Sequence, residues 1–164
     1  MNNNRGFTLI EIMVVVVIAA ILMGAVAISF PDSSDDRLKE EGARFVALVS
    51  LAQDEAILQS GDFALSTNDA GYSFFMRDGE SWRKYSDKPF NSRQLSADIQ
   101  AQMVLEGIPI KLVEAEKAKP QVVIYSSGEM TPFLYTLTNT ENSSVTMRFD
   151  GAGNLKKTFK SNEK

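Results

Sequence analysis

The stretch Arg5-Gly6-Phe7-Thr8-Leu9-Ile10-Glu11 leads into the apolar segment of the chain, which ends at Phe30-Pro31. No charged residue interrupts the twenty residues 12–31, which at about 1.5 Å per residue match the roughly 30 Å hydrocarbon core of a bilayer. A cleaved secretory signal has a shorter apolar core, of about 7–15 residues. The segment therefore predicts a retained membrane helix, followed by a polar remainder.

The charges that flank the apolar segment predict its orientation. Arg5 precedes it, and three aspartates within residues 32–36 follow it. Basic residues close to a span are retained in the cytoplasm. We therefore expect a cytoplasmic N-terminus, with the bulk of the chain on the far side, which in a double-membrane bacterium is the periplasm.

Small residues lie along one side of the predicted membrane helix. They are Ala20, Gly24 and Ala27, a spacing that lets a second helix approach closely in lipid. The alternative interpretation is that these residues have no packing role, because Ala and Gly are common in membrane helices.

Glu11 is the exception in the apolar stretch. An ionised carboxylate within the membrane costs on the order of 2.5–3.5 kcal/mol, and less near the edge. The positive end of the helix dipole offsets part of that cost. Two interpretations remain at this point: the carboxylate reaches back to the lipid headgroups, or it awaits a cation from another subunit.

Composition narrows the chemistry available to the chain. Its 164 residues carry a formal net charge of -4 and include neither Cys nor His. A thiolate nucleophile, a disulfide, a His general base and a Cys- or His-ligated metal site are thereby excluded. The negative net charge argues against a nucleic-acid partner. We expect a non-enzymatic protein with no cofactor and no metal site.

An amphipathic helix is predicted after the membrane segment. Phe30-Pro31 disfavours helical geometry, so we expect a break there, with Asp32 or Ser33 capping the next helix. From Arg37 to Gln59, apolar residues recur at helical spacing and predict a stripe that faces a core. Ser60-Gly61 ends this helix, with glycine at the position after the cap. The predicted polar face comprises Glu40, Glu41, Arg44, Gln53 and Asp54.

Beyond Gly61 the apolar residues follow a period of two, which is typical of strands. Asp78-Gly79 and the stretch 150–154 predict hairpin turns. An apolar helix stripe needs a sheet face to cover it. The fold class is therefore α+β, with a long helix packed on short antiparallel sheets. The predicted core includes Val46, Phe74, Trp82, Ile124, Phe133, Leu137 and Phe149.

The opening stretch resembles the leader signal of a known family. Gly6-Phe7-Thr8-Leu9-Ile10-Glu11 and its apolar run resemble the class III signal of type IV pilins and type II secretion pseudopilins. The resemblance implies cleavage after Gly6 and N-methylation of Phe7 by a prepilin peptidase. The glutamate of the family, matched here by Glu11, pairs with the free amine of a neighbouring subunit, which joins two buried charges across subunits.

A second resemblance narrows the family. Ser127-Gly128-Glu129-Met130-Thr131-Pro132-Phe133 lies between two predicted strands and is similar to a segment of H-type minor pseudopilins of type II secretion. Phe149-Asp150-Gly151-Ala152-Gly153 resembles the ending of that domain. The chain departs from many pilins because it lacks their C-terminal Cys pair. It also shows no tight Asp/Asn cluster like the calcium site of major pseudopilins, so we expect no bound calcium.

The resemblance implies a domain plan and a set of partners. It predicts a leader at 1–6, a transmembrane and assembly helix at 7–30, an amphipathic periplasmic helix at 31–60 and a β-rich domain at 61–164. The expected role is a minor pseudopilin near the tip of a pseudopilus, anchored once in the inner membrane with its globular domain in the periplasm. Expected partners are other minor pseudopilins, the major pseudopilin and the inner-membrane assembly platform.

Three alternatives remain open at the level of sequence. The leader signal fits a minor pilin of a type IV pilus equally well. A signal-anchored periplasmic enzyme is disfavoured by the lack of His and Cys. A tethered binding domain that never polymerises would carry an uncleaved N-terminus.

Overall fold

The computed structural model describes residues 8–26, 33–114 and 119–162, with side chains as far as residue 21 in the first range. The chain divides into two units, Met1–Asp32 and Ser33–Lys164. The described part of the first unit is α1 (Leu9–Val26), whose start is capped by Thr8 Oγ1, 3.3 Å from the Glu11 N–H.

Several predictions of the sequence fall outside the described residues. They are the leader 1–6, the methylation site Phe7, Ala27 and the break at Phe30-Pro31. The predicted membrane helix 7–30 extends past both ends of α1. Within the ranges that the structure describes, neither helix is long and apolar enough to cross a membrane.

The second unit is built around α2 (Ser34–Gln59). Ser33 caps its start and accepts the Asp36 N–H at 3.1 Å, as predicted. The other end lies where it was predicted, with Ser60 as the cap and Gly61 after it, but the left-handed conformation falls on the serine and not on the glycine. Ser60, with φ 50°, is the left-handed residue, and Gly61 follows it with its N–H bonded to Ala56 O.

Ten strands follow α2 in the described part of the chain. They are β1 (Phe63–Thr67), β2 (Gly71–Asp78), β3 (Ser81–Tyr85), β4 (Arg93–Gln94), β5 (Ile99–Leu105), β6 (Ile108–Ile110), β7 (Val122–Ile124), β8 (Phe133–Asn139), β9 (Ser144–Phe149) and β10 (Leu155–Lys160). All of their pairings are antiparallel, and they form two sheets. Sheet 1 has the order β3-β2-β1-β7, with β4 also on β2, and sheet 2 has the order β10-β9-β8-β5-β6.

One apolar core joins α2 to both sheets. The helix lies against β8 and β9 of sheet 2 and against β1 and β7 of sheet 1. Its stripe is buried as the helical spacing predicted. Because one helix covers two sheets, the α+β prediction of a helix on short antiparallel sheets is confirmed. The buried stripe comprises Leu38, Phe45, Leu48, Val49, Ala52 and Ala56.

Five of the seven predicted core residues are buried, and two are not. Val46 and Trp82 are only half-buried. Trp82 lies on the edge strand β3, where the Arg77 guanidinium carbon lies 4.9 Å from the centre of its ring. An edge strand covers its residues from one side only, which explains why an aromatic residue there stays half-exposed.

Candidate functional site

The segment 127–133, singled out by its sequence, is the crossover between the two sheets. It leaves β7 through a turn in which the Gly128 N–H bonds to Tyr125 O at 2.9 Å. The Thr131 N–H then bonds to Val123 O at 2.9 Å, and Met130 forms a bridge with Ile124. Because the segment first pairs with β7 and then enters β8, it fixes the position of one sheet against the other.

The crossover carries both buried and exposed side chains. Met130 and Phe133 are buried, whereas Glu129 and Pro132 are exposed. The Phe133 ring stacks on Phe149 with centroids 4.9 Å apart. The two buried side chains anchor the segment to the core, and the exposed ones are available to a partner.

Gln53 of α2 ties the crossover to the helix. Its Nε2 donates to Gly128 O at 2.5 Å and to Ala152 O at 3.2 Å. Gly128 and Gly153 have φ of +87° and +82°, a region that favours glycine. A Cβ on Gly153 would overlap the Gln53 amide. Gln53, a residue of the predicted polar face, therefore bonds to both of the loops that resemble the H-type family.

Sequence reasoning missed a buried polar cluster. Glu41, predicted on the polar face, is buried. Its Oε1 accepts the Tyr72 hydroxyl at 2.9 Å, and its Oε2 accepts Arg44 Nη1 at 2.7 Å. Burial and the Glu41 charge raise the pKa of Tyr72. Glu41 lies one helical turn before the core residue Phe45, a spacing that indicated its place beside the core stripe.

Aromatic rings surround this cluster. Phe45 stacks on Tyr135 at 4.3 Å and meets Tyr72 edge-on at 5.1 Å. The Tyr135 hydroxyl is buried and has no hydrogen-bond partner among the described residues. Burial, followed by the Glu41 charge, raises the pKa of Tyr135. The cluster joins α2 to both sheets, since Tyr72 lies on β2 and Tyr135 on β8.

Three of the residues singled out for assembly, Glu11, Ala20 and Gly24, lie on α1. Glu11 occupies the first turn and is exposed, and the described residues give it no ion-pair partner. Ala20 is exposed on the same helix, and Gly24 lies within it. Phe7 and Ala27 are outside the described ranges.

Metal chemistry has no visible site in residues 8–26, 33–114 and 119–162. No group of three or more carboxylates there is arranged to hold a metal ion. Asp150 instead accepts the Ala152 and Asn154 N–H groups at 3.0 and 2.9 Å. These bonds, with the Asn154 side chain first among them, lower the pKa of Asp150. The turn is a hairpin closed by its own carboxylate.

Comparisons with known proteins match both the N-terminal segment and most of the remaining chain. The prokaryotic N-terminal methylation motif matches residues 1–27, and the type II transport protein GspH family matches residues 41–153. Type II secretion system protein H of Pseudomonas aeruginosa is 32% identical over 162 residues, covering 92% of this chain and 94% of the relative. The Escherichia coli protein of that name is 29% identical over 143 residues, covering 85% and 83%.

Solved structures show the same fold. The minor pseudopilin EPSH of the type II secretion system of Vibrio cholerae has a TM-score of 0.65 at 24% identity, covering 79% of this chain and 100% of that one. The solution structure of Escherichia coli GspH gives 0.60 at 20% identity, covering 84% and 98%. The predicted resemblance to H-type minor pseudopilins is thereby confirmed. The chain belongs to the GspH family of type II secretion proteins.

Proposed function

We propose that the chain is a structural subunit near the tip of a type II secretion pseudopilus, required for protein export across the outer membrane. The observation that carries this proposal is the presence, on one chain, of the N-terminal methylation motif at residues 1–27 and the GspH match at 41–153. The family is one of structural pseudopilins, and the subunit has no enzymatic role.

The N-terminal stretch works in two stages under this proposal. Before processing, the helix 7–30 anchors the chain in the inner membrane, with the N-terminus cytoplasmic and the globular domain periplasmic. A prepilin peptidase then cuts after Gly6 and methylates Phe7. The new amine lies four residues before Glu11 in sequence. The amine of a neighbouring subunit is the cation that pairs with the Glu11 carboxylate. The domains of the precursor are 1–6, 7–30, 31–60 and 61–164.

The partners follow from the helix and the β-rich domain. Ala20, Gly24 and Ala27 let neighbouring helices pack closely in lipid. Other minor pseudopilins and the major pseudopilin contact the β-rich domain, and the inner-membrane assembly platform inserts the processed chain. The crossover segment from Gly128 to Phe133 belongs to this contact region, because Glu129 and Pro132 are exposed.

Replacement of Glu11 tests the charge pair. Glu11→Gln keeps the size of the side chain and removes its charge, so we expect normal membrane insertion and loss of incorporation into sheared pseudopili. Glu11→Asp keeps the charge and should restore part of the incorporation. Intact mass should show a chain that begins at methylated Phe7. Normal incorporation of Glu11→Gln would refute the charge pair, and an intact Met1 would refute processing.

A deletion strain distinguishes a pseudopilin from a minor pilin of a type IV pilus. We expect loss of exoprotein secretion with intact twitching motility. The reverse phenotype would assign the chain to a type IV pilus.

A further inference from the structure

The C-terminal half of α2 leaves large apolar side chains in solvent. Leu58 is 79% exposed, Ile57 50% and Leu51 38%. Tyr125, 46% exposed, lies beside them, because its turn partner Gly128 packs against Ile57. Exposed apolar patches of this kind mark interaction sites. Together with two carboxylates they form the helix-end surface, defined by Leu51, Asp54, Ile57, Leu58, Tyr125 and Glu129.

The charged residues of this surface and of the sequence around it are all acidic. No Lys or Arg occurs in residues 45–76 or 120–147. Asp54 lies on the same helix face as Leu51 and Leu58, three and four residues away, and Glu129 is exposed on the crossover. No described residue forms an ion pair with either carboxylate.

The cations nearest to the end of α2 in sequence are already engaged. Arg44 binds Glu40 and Glu41 at 2.6 and 2.7 Å, and Arg77 lies over the Trp82 ring. The protein itself therefore offers no cation to the helix-end surface from these positions.

The helix terminus adds to the negative potential. The C-terminal end of a helix carries a partial negative charge that favours Lys, Arg or His nearby. The last turn of α2 has no basic residue, and Asp54 and Glu55 lie just before it. This arrangement costs stability within the isolated chain, and a cation supplied from outside would recover it.

The surface is held in a fixed shape. Gln53 bonds the crossover to α2, and Asp62 Oδ1 accepts the Ser126 N–H at 3.0 Å. Within the described ranges the carboxylates are not grouped to bind a metal ion. A rigid surface that is both apolar and acidic fits a protein face better than a small cation.

We propose that the helix-end surface binds a neighbouring protein whose contacting face combines Lys or Arg side chains with apolar ones. The inference rests on the proposed function, because assembly into a pseudopilus supplies the neighbour. The apolar side chains give affinity, and the carboxylates select a basic partner and exclude an acidic one.

Cysteine protection tests the proposal in cells. The chain has no Cys, so Leu58→Cys gives a single thiol on the surface. Ile108→Cys is the matched control, because Ile108 is 67% exposed on the edge strand β6. Labelling by N-ethylmaleimide is compared in cells with and without the other secretion proteins. We expect Leu58→Cys to label about tenfold more slowly when they are present, as a largely occupied site requires, and Ile108→Cys to be unchanged.

Charge reversal separates the specific partner from general crowding. Asp54→Lys with Glu129→Lys should restore fast labelling of Leu58→Cys. Glu80→Lys with Asp87→Lys makes the same charge change on exposed residues elsewhere and should leave the protection intact. Protection that survives the reversal at Asp54 and Glu129 would overturn the proposal of a basic partner. So would protection that is lost equally in both charge-reversed variants.

The remaining outcomes are also decisive. If incorporated chains label at the unprotected rate, the surface proposal fails and the proposed function stands. If the chain is absent from sheared pseudopili, the proposed function fails and this inference fails with it. Protection that persists without the other secretion proteins would indicate a second copy or lipid as the occupant, and would overturn the proposal.

Discussion

Removing one hydroxyl from the buried polar cluster tests whether Glu41 is held there by its partners. In Tyr72→Phe the ring stays against Phe45, but Glu41 Oε1 loses the donor at 2.9 Å. A hydrogen bond to a charged group contributes about 1.5–3 kcal/mol. Because Glu41 is largely buried, we expect the free energy of unfolding to fall by about that amount.

Tyr135→Phe is the matched control. It removes the same atom from a ring stacked on the same Phe45, but the structure gives the Tyr135 hydroxyl no partner in the described part of the chain. Burial of an unpaired hydroxyl is itself unfavourable, so we expect this variant to be as stable as the parent or more stable.

Urea unfolding of the unit Ser33–Lys164 measures both variants. The unit contains the whole core, whose first residue is Leu38. The midpoint should fall for Tyr72→Phe at an unchanged slope, since the surface exposed on unfolding stays the same. Equal destabilisation by Tyr72→Phe and Tyr135→Phe would refute the assignment, because it would show that both hydroxyls are bonded alike.

Two further predictions concern a turn and a surface ion pair. Gly153→Ala should destabilise the fold by more than Gly79→Ala, since both glycines have positive φ but only the Cβ at position 153 meets Gln53. The excess loss, of about 0.5–1.5 kcal/mol for each lost hydrogen bond, is measured by urea unfolding. Equal losses in the two variants would contradict the role of the Gln53 hydrogen bonds. Bonds from the Ser96 side chain and then from the Arg37 guanidinium lower the pKa of Asp98 from 3.8 to about 2. Because the carboxyl has a lower pKa when folded, its contribution to stability is complete above pH 3.8 and is lost as the pH falls towards about 2. Asp98→Asn should therefore flatten this part of the acid unfolding profile, and an unchanged profile would contradict the assignment.

Periodicity predicted the elements of the second unit well. Helical spacing placed the buried face of α2, and alternation predicted strands beyond Gly61. The irregular stretch 87–100, whose pattern predicts a linking loop, instead contains β4 and the first residues of β5. These signals are local, because the residues that carry them lie within one turn or one strand of each other. Strand order was not predictable in the same way. The pairing of β5 with β8 joins residues that are 28 to 40 positions apart in sequence, from Leu105 with Phe133 to Ile99 with Asn139.

The errors have a common cause in tertiary contacts. Alternation in β1 predicted one buried face, yet Ala64 and Ser66 are as buried as Phe63 and Leu65. The Ser66 hydroxyl donates to Lys119 O at 3.0 Å, so a distant segment covers the second face. Glu41 became buried in the same way, through a donor that lies 31 residues away.

The candidate site was predictable in part. The crossover from Gly128 to Phe133 was found by resemblance. The need for glycine at position 128 is explained only by the structure, through the Gln53 bond and the contact with Ile57. Cleavage at Gly6, methylation of Phe7 and pairing of Glu11 stay predictions that the experiments on Glu11 address.

The position of α2 against both sheets has a mechanical consequence. A helix of 26 residues is about 39 Å long, and sheet 1 and sheet 2 are both attached along its side. A pulling force applied between its two ends is therefore carried by the hydrogen bonds of the helix, and the strand ladders lie beside that path. A subunit built in this way can transmit tension along its helix while its sheets, which no disulfide reinforces, remain unloaded.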